Sequence, residues 1–246
     1  MSLLPSVNRG VFVNLTDAGT FLGSGLASRI SAAESCAPEN LSQVNVSHYL
    51  LRNARLEEGF IRKQDVITAT RTGLYDIEIN GASIAGIHSP GFSSPLPAWD
   101  AGGHILLPAT RDMHIHLDKT FYGEGWRAPL PRKSVIDMIH QEEQILPELV
   151  PTSEGRAEKL IGLLQSKGST EARSHCNIDP ISQLQGLAHL QQAITHHRQD
   201  FSAKIVAFPQ HGLLRAHVEG MMREAMKMGA NYVGGLDPTN VDGAME

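Results

Sequence analysis

Asp112-Met113-His114-Ile115-His116-Leu117-Asp118-Lys119 is the stretch on which the reading of this chain turns. The apolar run His104-Ile105-Leu106-Leu107-Pro108 leads into it, and a charged, Gly-containing segment, residues 119–127, follows. On a β-strand, side chains alternate faces with period two, so His114 and His116 point to the same side. Two neutral imidazoles on one strand face can bind one metal ion. A catalytic zinc site usually takes three protein ligands plus water, so this strand supplies two. The alternative is a chance pair in a chain with 12 His.

Upstream, Tyr49-Leu50-Leu51-Arg52-Asn53-Ala54-Arg55-Leu56 reads as a first strand. Leu74-Tyr75-Asp76-Ile77-Glu78-Ile79 alternates apolar and acidic residues, the pattern of a half-buried strand. Asn80-Gly81 follows, then Ser83-Ile84-Ala85-Gly86-Ile87, which is a strong hairpin signal. Residues 88–97 are a Pro/Gly/Ser loop. Residues 48–108 thus form a small β-rich module. Residues 1–47 are rich in Ser, Gly, Ala and Asn, hold no period, and read as a flexible leader. Their Gly23-Ser24-Gly25 lacks the third Gly and the preceding strand of a dinucleotide loop.

Downstream, the period turns helical. Ser134, with Asp137 three residues on, predicts a helix start, with Val135, Met138, Ile139 and Glu142 on one face. Ser153 is expected to cap a second helix carrying Ala157, Leu160, Ile161 and Leu164, with Gly168 past its end. Residues 170–177 are a second strand of this part, and residues 180–198 a helix with Leu184, Leu187, Ala188 and Ile194 inward. Residues 204–208 are a third strand. Val218, Met221, Met222 and Ala225 mark a helix closed by Gly229, and residues 231–235 are a fourth strand. Strands alternating with helices imply right-handed βαβ units and a parallel sheet, an α/β architecture.

The composition is that of an ordinary globular protein: 41% hydrophobic, 19% charged, net charge -5 over 246 residues. The absence of a Lys/Arg-rich block argues against a nucleic-acid or anionic-membrane partner. No apolar run approaches the roughly 18 residues of a membrane-spanning helix, and the N-terminus lacks a signal-peptide pattern. Cys36 and Cys176 form no disulfide framework, so a reducing, cytoplasmic setting is expected. His140-Gln141-Glu142 and His217-Val218-Glu219 match His-x-Glu, but no Pro-Cys-x-x-Cys follows, which excludes the cytidine-deaminase type of zinc site.

His-x-His-Leu-Asp after an apolar strand resembles the first-strand signature of the amidohydrolase superfamily. Within it, the chain is similar to the cytosine deaminase branch and its N-isopropylammelide hydrolase group. The resemblance covers about residues 48–246. It implies the N-terminal part of a β-sandwich (residues 48–108) followed by the first half of a TIM-type (β/α)₈ barrel (residues 109–246). A full barrel takes about 250 residues, whereas Asp112 to the end leaves room for four units.

In α/β barrels the chemistry sits at the C-terminal ends of the strands, and the resemblance assigns roles there. His114 and His116 are the implied ligands of one divalent metal, zinc or iron. Asp118-Lys119 matches the Asp-Lys of the isopropylammelide-type motif, the alternative being a surface ion pair. Ser174-His175-Cys176-Asn177-Ile178-Asp179 carries a matching His175, read as pocket-lining or as a core histidine. Asn177 stands where the family has Asp. Val206-Ala207-Phe208-Pro209-Gln210-His211-Gly212 matches the cytosine deaminase motif, so Gln210 is the implied substrate contact, because a side-chain amide offers donor and acceptor to a lactam edge. Gly234-Gly235-Leu236-Asp237-Pro238 again resembles the isopropylammelide type; Asp237 either lines the pocket or makes a turn.

The implied activity is hydrolysis of a C–N bond in a small nitrogen heterocycle, cytosine-like or aminotriazine-like. A metal ion lowers the pKa of water, and the resulting hydroxide attacks an amidine-like ring carbon. The family's further His and Asp positions on strands five, six and eight have no counterpart here. The general acid/base is accordingly expected beyond Glu246, and no residue of the chain is assigned that role. The expectation is therefore a chain inactive by itself. It would be either a non-catalytic fragment or a half that works with a second chain. Half barrels can pair symmetrically, and such a homo-oligomer would bring two His-x-His pairs to one end.

Overall fold

The computed structural model describes residues 47–244. The expected leader, apart from Ser47, lies outside the described residues. The chain divides into two compact units between Ala109 and Thr110.

In the first unit, β1 (His48–Lys63) and β2 (Val66–Asn80) pair antiparallel from His48↔Asn80 to Lys63↔Val66. Both strands run far beyond the expected 49–56 and 74–79. The turn joining them, Gln64-Asp65, has φ 49° and 67°. Two positive φ values suit a tight hairpin, but neither residue is Gly or Asn, so the sequence signal was weak. The expected segments are the buried part: Leu50, Leu51, Ala54, Ile77 and Ile79 are buried, while Phe60, Ile61, Val66 and Ile67 are exposed. β3 (Ser83–His88) follows the turn at Gly81, φ 59°, as expected from Asn80-Gly81. β4 (Ala98–Asp100) pairs parallel with β1, giving the order β3-β2-β1-β4. Buried Asp76 fixes the 88–97 loop by accepting from Arg52 Nη1 (3.0 Å), Gly91 N (3.0 Å) and Phe92 N (3.1 Å). The apolar run His104–Pro108 is not a strand. Only Ile105 bridges, to Arg55.

The second unit is a parallel sheet of β5 (Thr110–Ile115), β6 (Ser169–Asn177), β7 (Ser202–Phe208) and β8 (Tyr232–Val233), in that order. Between and after them lie α1 (Val135–Leu149), α2 (Ser153–Ser166), α3 (Gln185–His196), α4 (Val218–Lys227) and α5 (Pro238–Val241). These are four successive β/α units, the architecture expected. Ile161 of α2, Leu187 and Leu190 of α3 and Val218 of α4 pack with Ala172 of β6 and Ile205 of β7. Ser134 caps α1 by accepting from Asp137 N (3.1 Å), and Gly168 follows α2 with φ 81°.

Three details differ from expectation. Thr152, not Ser153, precedes α2; Ser153 is buried, its Oγ donating to Val150 O (2.8 Å). Helix α3 starts at Gln185 rather than near 180. Asp179 Oδ1 accepts from Ile181 N and Ser182 N (both 2.8 Å), which holds a turn in place of a first helical turn. Strand β8 is two residues long, not five. Buried Arg156 ties the loop after β5 to the end of α1, donating to Thr120 O (2.7 Å) and Leu149 O (2.8 Å). Among the described residues, no helix is long and apolar enough to cross a membrane.

Candidate metal centre

Strand β5 ends at Ile115, so His114 is its penultimate residue and His116 the first beyond it. The parallel register matches Ile115 to Ser174, which sets His175 beside His116. Leu117 N donates to Ser174 Oγ (3.1 Å) and locks that register past the strand end. Three imidazoles therefore meet at the C-terminal ends of β5 and β6. Ring centroids lie 4.4 Å apart for His114 and His175, 5.4 Å for His116 and His175, and 6.0 Å for His114 and His116. One ring nitrogen of each lies within 4.8 Å of the others. Phe208, at the end of β7, closes one side, with its ring edge-on to His175 at 5.2 Å. Gly234 makes that wall feasible: a Cβ there would lie 2.8 Å from Val206 Cγ1 and 3.0 Å from Phe208 Cδ2.

Five buried polar atoms among the described residues lack a hydrogen-bond partner: His116 Nδ1, Asp118 Oδ1, His175 Nδ1, Asn177 Oδ1 and His211 Nδ1. All five lie at or just past the C-terminal ends of β5, β6 and β7. Buried polar atoms without partners are rare and call for an occupant. Three imidazoles are a donor set that suits zinc or iron. Burial lowers the pKa of His175, and the neighbouring His114 and His116 lower it further, which keeps its lone pair free at neutral pH. Asp118 is buried and does not pair with Lys119. Its Oδ2 accepts from Asn177 N (2.8 Å), and its Oδ1 lies 3.8 Å from His116 Nδ1. A carboxylate behind a ligating His is the usual means of fixing the ring.

Beside the histidines lies a second arrangement, centred on Glu142. Its carboxylate receives Lys119 Nζ (2.6 Å), His211 Nε2 (2.9 Å), Asn177 Nδ2 (3.2 Å) and Gln210 Nε2 (3.3 Å). Lys119 Nζ also donates to Gln210 Oε1 (2.6 Å). Burial pushes the Glu142 carboxyl up, but the bond from His211 and the charge of Lys119 outweigh it and lower its pKa. Sequence reading missed Glu142 as a site residue. The available signal was an acidic residue in the stripe Val135, Met138, Ile139. It also missed buried His211 and Asp179, whose Oδ1 lies 4.0 Å from His211 Nδ1.

The expected place of the general acid/base, beyond Glu246, lies outside the described residues, as does Glu246 itself. Glu142 is a carboxylate the sequence reading left out of the site, but its geometry is that of an acceptor. Four donors converge on it and its lowered pKa keeps it ionised, so it has no proton to give near neutral pH.

Gln210 is buried with both ends of its amide engaged, yet one amide hydrogen and one carbonyl lone pair remain. Asp237 is not among the cluster. It is exposed and caps α5, accepting from Thr239 N (3.0 Å) and Asn240 Nδ2 (2.8 Å). A group of two carboxylates and a histidine, Glu154, Glu158 and His196, lies on α2 and α3. Its histidine is already engaged: His196 Nδ1 is 2.6 Å from Glu158, whose hydrogen bond raises the histidine's pKa.

No family model matches the chain. Over 221 residues it is 50% identical to the uncharacterized protein YahJ of Escherichia coli (strain K12), a match covering 88% of this chain and 48% of that protein. The crystal structure of N-isopropylammelide isopropylaminohydrolase from Burkholderia multivorans aligns with TM-score 0.66 and 28% identity, covering 80% of this chain and 47% of that one. The structure of 5-methylcytosine deaminase from Klebsiella pneumoniae, liganded with 5-fluorocytosine, aligns with TM-score 0.57 and 25% identity, covering 76% and 43%. The chain spans about half the length of the curated relatives it matches.

Proposed function

Because the chain belongs to the amidohydrolase superfamily, we propose that it is the metal-holding part of a hydrolase that cleaves an exocyclic C–N bond of a nitrogen heterocycle. The convergence of His114, His116 and His175 at the ends of β5 and β6 is the observation that carries this reading. His114 and His116 are the proposed ligands of one divalent ion, zinc or iron. When bound, such an ion supplies Lewis acidity that lowers the pKa of water toward neutrality.

The chain's own residues would do the rest of what these four units contribute. Asp118 would orient the His116 ring. Gln210 would read the lactam edge of a cytosine-like or N-isopropylammelide-like ring with its remaining donor and acceptor. Lys119 and Glu142 would hold that amide in place. His175 and Phe208 would wall the ring's pocket. Asp237, exposed and engaged at the cap of α5, would take no part in substrate contact.

The open edges favour a refinement. In the order β5-β6-β7-β8, β5 and β8 each pair on one side only among the described residues. Turnover is therefore expected only with further strands beside them, from more of the same polypeptide or from a second chain, which would also bring the general acid/base. The test is hydrolysis of cytosine, 5-methylcytosine and N-isopropylammelide. It compares the purified chain with the chain joined to a polypeptide matching the remaining length of its relatives. Activity in the joined form, absent in its His114→Ala variant, is the expected result. Activity that survives His114→Ala would sink the reading.

A further inference from the structure

The hairpin of β1 and β2 outruns the core of its own unit. The buried cluster there reaches along the two strands only as far as Leu56 and Tyr75. On the outer edge of β2, pairing with β3 begins at Asp76. On the outer edge of β1, the last partners are β4, up to Arg52, and Ile105, at Arg55. Residues 57–63 and 66–73 are therefore a two-stranded ribbon with both outer edges unpaired among the described residues. A lone two-stranded ribbon is marginally stable in water. This one also exposes Phe60 (51%), Ile61, Val66 and Ile67 (48%). A cluster of exposed apolar residues on an extended arm marks a contact surface.

The register sorts these side chains onto two faces. Opposed residues share a face, and successive rungs alternate. Glu57 pairs with Thr72 and Gly59 with Arg71, so Glu58 is an extra, bulged residue that shifts the alternation by one. Glu57, Phe60 and Arg62 then lie on one face, opposed by Thr72, Thr70 and Ile67. Glu57 and Arg62 each stand two rungs from Phe60, about 7 Å away, on opposite sides of it. Four rungs, about 13 Å, separate them, too far to pair within one chain. Arg62 Nη1 donates to Asp65 O (3.0 Å), and both side chains are exposed. The opposite face lacks this balance. It carries Ile61, Lys63 and Val66, and Glu58 is engaged there by Arg71 (3.5 Å) and by the Tyr75 hydroxyl (2.8 Å).

We propose that the Glu57–Phe60–Arg62 face docks on the same face of a second copy of this chain, ribbon antiparallel to ribbon, about a two-fold axis at Phe60. A two-fold contact uses one patch twice, so the patch must complement itself. Acid and base at equal distances on either side of an aromatic residue do so. Each Glu57 meets Arg62 of the second copy, and Phe60 and Ile67 of both copies fill the space between the two ion pairs. The face is small, so the dimer is a weak one. The contact lies in the first unit and is independent of the metal reading and of the open sheet edges of the second unit.

Sedimentation velocity over a concentration series tests it. The full chain is compared with Glu57→Arg, Arg62→Glu, the double variant Glu57→Arg/Arg62→Glu, and Lys63→Glu on the opposite face. All these positions are exposed, and far-UV circular dichroism checks each fold. The parent should dimerise with a Kd of roughly 1–100 μM. Each single reversal turns two attractive pairs into two repulsive ones and should weaken the dimer about tenfold or more. An equimolar mixture of the two single variants should recover it, because one copy then supplies only acids and the other only bases. The double variant should recover it as well, and Lys63→Glu should match the parent. Phe60→Thr, which keeps the charge and suits a strand, should also weaken it. A parent that stays monomeric up to about 1 mM would overturn the inference and leave the face to another occupant. So would a dimer indifferent to both reversals or to Phe60→Thr, a mixture no tighter than its components, or a loss in Lys63→Glu equal to that in Arg62→Glu.

Discussion

Replacing Glu142 by Ala should destabilise the second unit by about 3–5 kcal/mol. The carboxylate is the common acceptor of Lys119, His211, Asn177 and Gln210, and its side chain and that of Lys119 are each only 14% exposed. Removing it leaves an ammonium desolvated and unpaired, a loss of about 3–5 kcal/mol when one partner of a buried pair is deleted. The other three donors add to the loss, each orphan costing about 1–3 kcal/mol where water cannot reach it. Water entering the vacated space offsets part of that, so the ion-pair figure stands as the estimate. With a urea m-value of about 2 kcal/mol/M, the midpoint falls by roughly 2 M. Pulse-labelled hydrogen exchange read on peptides of β6 and β7 isolates this unit from the first. The double variant Lys119→Met/Glu142→Met should be at least about 1 kcal/mol more stable than Glu142→Ala, because no buried charge is then unpaired. A midpoint shift under about 0.5 M for Glu142→Ala would refute the description of Glu142 as a largely desolvated common acceptor.

Three further outcomes follow from the same structure. The Glu142 carboxyl titrates below its ordinary 4.5 in the folded chain, so the folded state binds fewer protons there than the unfolded state; its contribution is full above pH 4.5 and fades as pH falls below it. Urea midpoints at pH 7 and pH 4 should therefore differ more in the parent than in Glu142→Ala. Gly162 lies inside α2 with open space where a Cβ would go, so Gly162→Ala should raise stability by about 0.5–1 kcal/mol. Gly168, also with open space, has φ 81°, so Gly168→Ala should lower it by about 1–2 kcal/mol; thermal midpoints of the two variants should move in opposite directions. Burial pushes the Cys176 thiol well above its usual range, so in a Cys36→Ser background a maleimide should label the folded chain at pH 8 far more slowly than the urea-unfolded one.

The local rules were legible in the sequence because they act over a few residues. Ser134 with Asp137, Gly168 after α2, Asn80-Gly81 before β3 and His-x-His at the end of β5 each state their role within one turn or one strand. The β/α alternation gave the parallel order of the second unit. What stayed hidden depends on partners distant in sequence or on unfavoured backbone. Gln64-Asp65 turns a long hairpin with residues that carry little turn signal. The carboxylates of Asp179 and Asp237 bind their own following backbone, which delays α3 in one case and caps α5 in the other. Glu142 reads as a blemish in an apolar stripe until β6 and β7 bring Asn177, Gln210 and His211 to it. That His175 lies against the His pair shows only once the register of β5 on β6 is known.

Anomalous diffraction at the zinc edge, from crystals of the chain grown with Zn²⁺, bears most directly on the metal centre. The expected map has one strong peak about 2.0–2.1 Å from a ring nitrogen of each of His114 and His116. A map with no peak there, or with zinc only at Glu154, Glu158 and His196, would contradict the assignment of this site as the metal centre of an amidohydrolase.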